Sequence, residues 1–323
     1  MADHVAGDEI YVYTGGIAPE HVVNAIIDES VEEIDDVAFQ GNDDLKSVVC
    51  HDRVLKVGCC AFLHCRSLQR VKMPGVKIIE QYAFYDCRSM KHVELDNLET
   101  IGWNAFVNTS LQRVKMPKVK IIGTSAFKDS DVEELELGED LETVGPCTFR
   151  RSRKLRRIAI PLRDGMFQLN DSTGTYTQFC SCPNLETVDL VGGIHKTVAS
   201  LHLEGRRKMK EEIQRINEVL PGTASDSKAG VIRQWIRSVI IKIDHYKAEH
   251  RALLEEATTL LELVLWKIKL ADLKDEEGEH SLEEPTAAKK AKIDVDEARK
   301  EARITSGADI VIMNVLPFLM LVE

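Results

Sequence analysis

The sequence predicts an α+β repeat fold: a solenoid of short stacked units followed by a C-terminal α-helical region. Three observations predict it. A phenylalanine recurs at nearly constant spacing, a strand-like pattern follows each one, and the periodicity turns helical after about residue 193. The phenylalanines are Phe39, Phe62, Phe84, Phe106, Phe127, Phe149 and Phe179, at intervals of 23, 22, 22, 21, 22 and 30. Five residues before the first six stand Ile34, Val57, Ile79, Ile101, Ile122 and Val144, and five of those six have Ala directly before the Phe.

After each Phe comes an alternating run that reads as a short strand. These runs are Leu45 to Cys50, Leu68 to Met73, Met90 to Leu95, Leu111 to Met116, Val132 to Leu137, Leu155 to Ile160 and Leu185 to Leu190. Val22 to Ile27 reads as a half-unit before them. One such unit has too few apolar residues to close a core, so neighbours must stack and bury the repeated Ile, Phe, Leu and Val in one column. A fixed period of about 20–29 residues marks a leucine-rich repeat. The pattern I-x-x-x-A-F-x-x-C-x-x-L-x-x-V-x-L/M-P, shown well by Ile79, Ala83, Phe84, Cys87, Met90, Val93 and Leu95, resembles the BspA-type leucine-rich repeat. The resemblance covers about residues 22–190. It implies a curved solenoid used for protein contacts, in a family of bacterial surface proteins and many proteins of single-celled eukaryotes.

The expected organisation is an acidic N-terminal cap over residues 1–21, the leucine-rich-repeat solenoid of about seven units over 22–193, a helical region over 194–274, a linker over 275–300 and an apolar C-terminal segment over 301–323. Residues 1–45 hold twelve Asp or Glu and no Lys or Arg, leaving 42 basic against 41 acidic groups in the rest. That acidic stretch is expected to be a solvated cap, since a solenoid end needs a polar outer face. The near balance elsewhere gives no general attraction for nucleic acid or anionic membrane. The start, MADHVAGDEI, has no apolar core of a secretory leader. The apolar run Leu260 to Leu270 is broken by Glu262, Lys267 and Lys269 and is too short to span a bilayer. The expected location is cytoplasmic or nuclear, with the eight cysteines as reduced thiols.

Side chains alternate across a strand, so the third and fifth positions of each run share the solvent face. The charged groups there are the candidate partner-binding residues: Arg70, Lys72, His92, Glu94, Arg113, Lys115, Glu134, Glu136, Arg157 and Asp189. Their sign alternates from unit to unit, which predicts a lateral ladder through Lys72, Glu94, Lys115 and Glu136. The ladder reads either as a mixed-charge docking face or as a solvated sheet whose charges pair among themselves. It argues against a phosphate groove, because the basic groups already have acidic neighbours.

Three residues after each marker Phe lies Asn42, Cys65, Cys87, Thr109, Ser130, Ser152 or Cys182, placed to satisfy backbone atoms at the turn. Cys59, Cys60, His64 and Cys65 crowd one unit and Cys180 and Cys182 another, but they lack matched zinc-ligand spacing, so no metal or cofactor is expected. No nucleophile elbow, phosphate loop, HExxH or dinucleotide motif is present, and His245, Glu249 and His250 read as a solvated helix face. The chain is therefore expected to be no enzyme. The interval before Phe179 is eight residues longer than the usual 22, and the insertion falls at residues 162–178, with Gly174 where Ile is due. It reads as a binding loop or a tolerated one.

Beyond the units, Leu203 to Leu220 predicts a helix ended by Pro221 and Gly222. A seam follows through Ile232, Ile236, Val239, Ile243, Tyr246, Leu253, Ala257, Leu260 and Val264. Its 3–4 spacing fits helices that pack on each other or cap the last unit, with a coiled-coil homodimer as the second reading. Lys289, Lys290 and Lys292 could serve nuclear import, and the segment Asp309 to Leu321 is apolar enough to need burial. The function expected is that of a non-enzymatic scaffold or interaction protein that binds a protein partner through the strand face. The alternative is a structural or oligomerising role carried by the helical tail.

Overall fold

The computed structural model describes residues 10–277, with side chains described to residue 270. The chain divides into two compact units, one of residues up to His195 together with Met209–Lys242, the other of Lys196–Lys208 with the residues from Ile243 onward.

The first unit is the leucine-rich-repeat solenoid with its C-terminal cap. Each repeat adds one strand to a parallel ladder. Ile10–Tyr13, Asn24–Ile27, Ser47–Val49, Arg70–Lys72 and His92–Glu94 form one five-stranded sheet. Arg113–Met116, Glu134–Leu137, Arg157–Pro161 and Thr187–Val191 form a second, of four strands. A further six-stranded sheet is built of two-residue strands, from Glu33–Ile34 to Thr143–Val144, whose second residue is always the buried Ile or Val five before the marker Phe. The Phe rings stack in a column with centroids 5.0–5.7 Å apart and planes within 12° of parallel. Spacing of this kind suits offset aromatic stacking.

The break between the five- and four-stranded sheets has a counterpart in the sequence. From Phe84 to Met90, the buried residue before the next strand, is six residues, but from Phe106 to Leu111 only five. The turn side chains feel the same change. In six-residue turns Cys65, Cys87, Ser152 and Cys182 reach back to the carbonyl of the previous repeat's Phe, at 3.0, 3.1, 2.7 and 2.8 Å. In the two five-residue turns, Thr109 and Ser130 bond the carbonyl of their own Phe, at 3.0 and 2.7 Å.

In the described part of the expected cap, residues 10–21, most residues are exposed, and Tyr13 is the exception. Ile10–Tyr13 pairs in parallel with Asn24–Ile27, and Tyr13 is fully buried with its ring 5.1 Å from Phe39. An open end of the Phe column would leave a large apolar face in water, and Tyr13 closes it. Burial pushes its hydroxyl up to about 12, while the hydroxyl donates to Asp35 at 3.1 Å.

The insertion is folded. Phe167, rather than Gly174, takes the place expected for Ile. It bridges Val144 in parallel and packs edge-on against Phe179 at 5.7 Å. Residues between it and Phe179 make a small turn closed by the antiparallel bridge Asn170–Thr175, in which Gly174 supplies a φ of +62°. Counting five back from Phe179 failed because the extra residues lie between the strand position and the Phe.

Three helices follow: α1 (Ile194–Ala199), α2 (Leu203–Val219) and α3 (Lys228–Glu277). Within the first unit the far part of α2 and the near part of α3 cap the last repeat. The Asn217 side chain accepts from Val188 N–H of the final strand at 2.8 Å. The buried Lys228 ammonium donates to the Pro183 and Leu185 carbonyls at 2.9 and 2.5 Å. The insertion adds two ties, Asp164 to Arg237 at 2.9 Å and the Arg233 guanidinium 3.5 Å over the Tyr176 ring. Trp235 donates to the Glu212 carbonyl at 2.9 Å and is buried.

In the second unit, His202 contacts Glu249 at 3.3 Å and lies against the Tyr246 and His250 rings. The helix runs through residues 275–277, where a linker was expected, because no Gly or Pro arrives before Gly278. The remainder of that linker, the Lys289–Lys292 cluster and the apolar segment 301–323 lie outside the described residues.

Candidate functional site

The candidate face is the outward row of the longer strands. Alternation sets it: in Arg70–Lys72 the middle Val71 is buried while both flanking cations are exposed, and Arg113–Met116 repeats the pattern. Backbone register then fixes the neighbours. Arg70 pairs with His92 and Lys72 with Glu94, while Arg113 pairs with Glu134 and Lys115 with Glu136.

Most of the predicted residues meet within their own sheet. Lys72 lies 3.7 Å from Glu94, Arg113 3.5 Å from Glu134 and Lys115 2.9 Å from Glu136. Arg157 sits between two acids, 4.0 Å from Glu134 and 2.6 Å from Asp189. The predicted continuous ladder is interrupted: Glu94 and Lys115 belong to different sheets and form no ion pair. Arg70 and His92 have no ion-pair partner among the described residues. The face therefore carries paired charges toward Asp189, with Arg70 unpaired on the strand next to the one at the sheet break.

Two features escaped the sequence reading. One is an apolar outward row on adjacent strands, where Val12, Ile26 and Val49 are aligned in register and exposed. The alternating IYVY of residues 10–13 carried that signal. The other is a polar ladder on the turn after each Phe, where His64, Asp86, Asn108, Asp129 and Arg151 all have positive φ. Asp86 is its buried node. Burial pushes its carboxyl up, but hydrogen bonds from Arg88, Arg66, His64 and Asn108 outweigh that and hold it at about 2.

Among the described residues no group of three or more His, Cys, Asp or Glu is placed to hold a metal ion, and no helix is long and apolar enough to cross a membrane. All eight cysteines are free.

The model of the BspA-type leucine-rich repeat region matches residues 20–132 and 120–198 as six copies, more than half of the chain. The chain belongs to this family, whose repeats serve protein–protein interaction or surface adhesion. No curated protein matches it. Among solved structures, a leucine-rich repeat protein of T. pallidum is 22% identical over 49% of this chain and 87% of its own, with a TM-score of 0.40. The pneumococcal vaccine antigen PcpA is 18% identical over 51% of this chain and 50% of its own, with a TM-score of 0.36. A leucine-rich repeat protein from Bacteroides ovatus ATCC 8483 is 20% identical over 53% and 56%, with a TM-score of 0.34. Likeness at those scores adds nothing about partners.

Proposed function

We propose that this chain is a non-enzymatic scaffold or recognition protein whose solenoid docks a protein partner on the outward row of its longer strands. The observation that carries the reading is the contrast along single strands. Val71 and Val114 are buried, while Arg70, Lys72, Arg113 and Lys115 beside them stay exposed. The core makes no use of these cations, and Arg70 and its register neighbour His92 have no ion-pair partner among the described residues. The location that goes with this reading is cytoplasmic or nuclear, which a fluorescent fusion in the source cell checks.

The test is reversal of Arg113 and Lys115 to Glu together, followed by capture from the protein's own cell extract. The new acids would face Glu134 and Glu136, and the fold should lose only about 1–2 kcal/mol over exposed pairs. Partner capture should fall much further, because like charges across an interface cost several kcal/mol. Lys242 is no control in this experiment, because its ammonium pairs with the buried Glu212. Trp266→Glu serves instead.

A second reading, oligomerisation through the helical tail, is favoured by one observation. Along the far half of α3, Leu260, Leu263, Val264, Leu265, Trp266 and Ile268 are all exposed. If Trp266→Glu abolishes capture or halves the hydrodynamic mass while the strand variant keeps every partner, the tail is the working surface.

A further inference from the structure

Cys59 and Cys60 stand side by side on the turn between Val57 and the buried Phe62. Their Sγ atoms are 3.4 Å apart, and both side chains are half-buried and free. The backbone under them is fixed on both sides. The Cys59 carbonyl accepts from Val37 N–H at 2.9 Å, and Cys59 N–H donates to Asp36 Oδ1 at 2.7 Å. Cys60 N–H donates to the Gln81 carbonyl at 3.1 Å, and its own carbonyl accepts from Leu63 N–H at 3.1 Å. Cys60 is held at a φ of +56°. Gly58, just before the pair, is pressed so closely on Asp36 that a Cβ there would fall 2.7 Å from the Asp36 backbone nitrogen. The repeat ladder thus fixes both Cα–Cβ directions and leaves only the side-chain torsions free.

The other cysteines offer nothing comparable. Cys50, Cys65, Cys87 and Cys182 are buried, and the last three already donate to Phe carbonyls. Cys147 donates to Thr177 Oγ1 at 3.4 Å, and Cys180 is drawn to Asp226. Only Cys59 and Cys60 present two partly exposed sulfurs in mutual contact.

We propose that Cys59 and Cys60 form a dithiol site for trivalent, mono-substituted arsenicals. Such a compound, hydrated as R–As(OH)2, needs two sulfurs held close together, and pyramidal arsenic carries its two sulfurs at about van der Waals contact. Two As–S bonds form and two As–OH bonds break. Each thiol proton leaves with a hydroxyl as water, arsenic stays trivalent, and no oxidant or reductant takes part. The condensation draws on neutral thiols. That suits Cys60, whose thiol is pushed up to about 11 by burial and by its neighbour Cys59. Alkylation needs the thiolate, so Cys60 should react sluggishly with iodoacetamide while still capturing the arsenical.

Full-length, reduced protein is treated with phenylarsine oxide and followed by intact mass, with 2-mercaptoethanol or 2,3-dimercaptopropanol as competitor. The expected result is a single arsenical per chain, retained against excess monothiol and stripped by the dithiol. Cys59→Ser and Cys60→Ser should each lose the retention, while Cys147→Ser and Cys180→Ser keep it. Retention in either Cys59→Ser or Cys60→Ser, or release from the wild type by monothiol, overturns the proposal. Should those variants fold poorly, proteolysis of the loaded wild type decides: the arsenical must reside on the peptide carrying Cys59 and Cys60, and its recovery on any other peptide also overturns the site.

Discussion

Phe84 has no exposed surface and stacks between Phe62 and Phe106 at 5.0 and 5.4 Å. Its replacement by Ala removes the ring from mid-column, where neighbours on both sides are fixed by their own repeats and cannot collapse into the space. Phe84→Ala should therefore destabilise by about 3–5 kcal/mol, measured by denaturant melts. A loss under about 1 kcal/mol would mean the column is not a packed core. Asp86 supplies a pH test. Its folded-state carboxyl lies below the ordinary carboxylate value, so its contribution is complete above about pH 4 and is lost as pH falls toward 2. That contribution is about 2 kcal/mol, and Asp86→Asn should flatten this part of the acid limb of the stability curve. The Phe column was legible in the sequence because one residue type marks it at constant spacing. Asp86 was not, because its partners Arg66, His64 and Asn108 come from neighbouring turns and no local pattern announces a buried carboxylate.

At the scale of elements, the strand positions were readable from alternation alone, and so was the side each residue faces. What alternation could not give was the sheet break. It coincides with a turn one residue shorter between Phe106 and Leu111, and it separates Glu94 from Lys115 where a continuous ladder was expected. The two-residue strands were also invisible as strands, because two residues cannot display a period. The buried Lys228 shows how the final repeat is closed, its ammonium meeting two turn carbonyls that no later repeat remains to satisfy. Lys228→Met keeps the stem but strands both carbonyls, and should cost about 1–3 kcal/mol in thermal or denaturant unfolding. A neutral result would show that water satisfies those carbonyls equally well.

Across the whole molecule, charge and apolar surface are distributed unevenly. The acids of residues 10–45 meet Lys and Arg only from later repeats, as Glu29 does Arg53, Glu33 does Lys56 and Asp43 does Arg66. The apolar seam of α3 divides as well. Ile232, Ile236, Val239 and Ile243 are buried, whereas Leu253, Leu260 and Val264 are exposed. The sequence showed one continuous seam because spacing records which residues share a helix face, not what lies against that face. Among the described residues two candidate surfaces stand out, the strand row and the far half of α3, and partner docking is proposed for the first. The most direct measurement places a photo-activated cross-linker at His92 or at Trp266 in the full-length protein inside its own cell. Docking on the strand row predicts a covalent adduct with a partner protein from position 92 and none from position 266. Adducts from position 266 alone would contradict it.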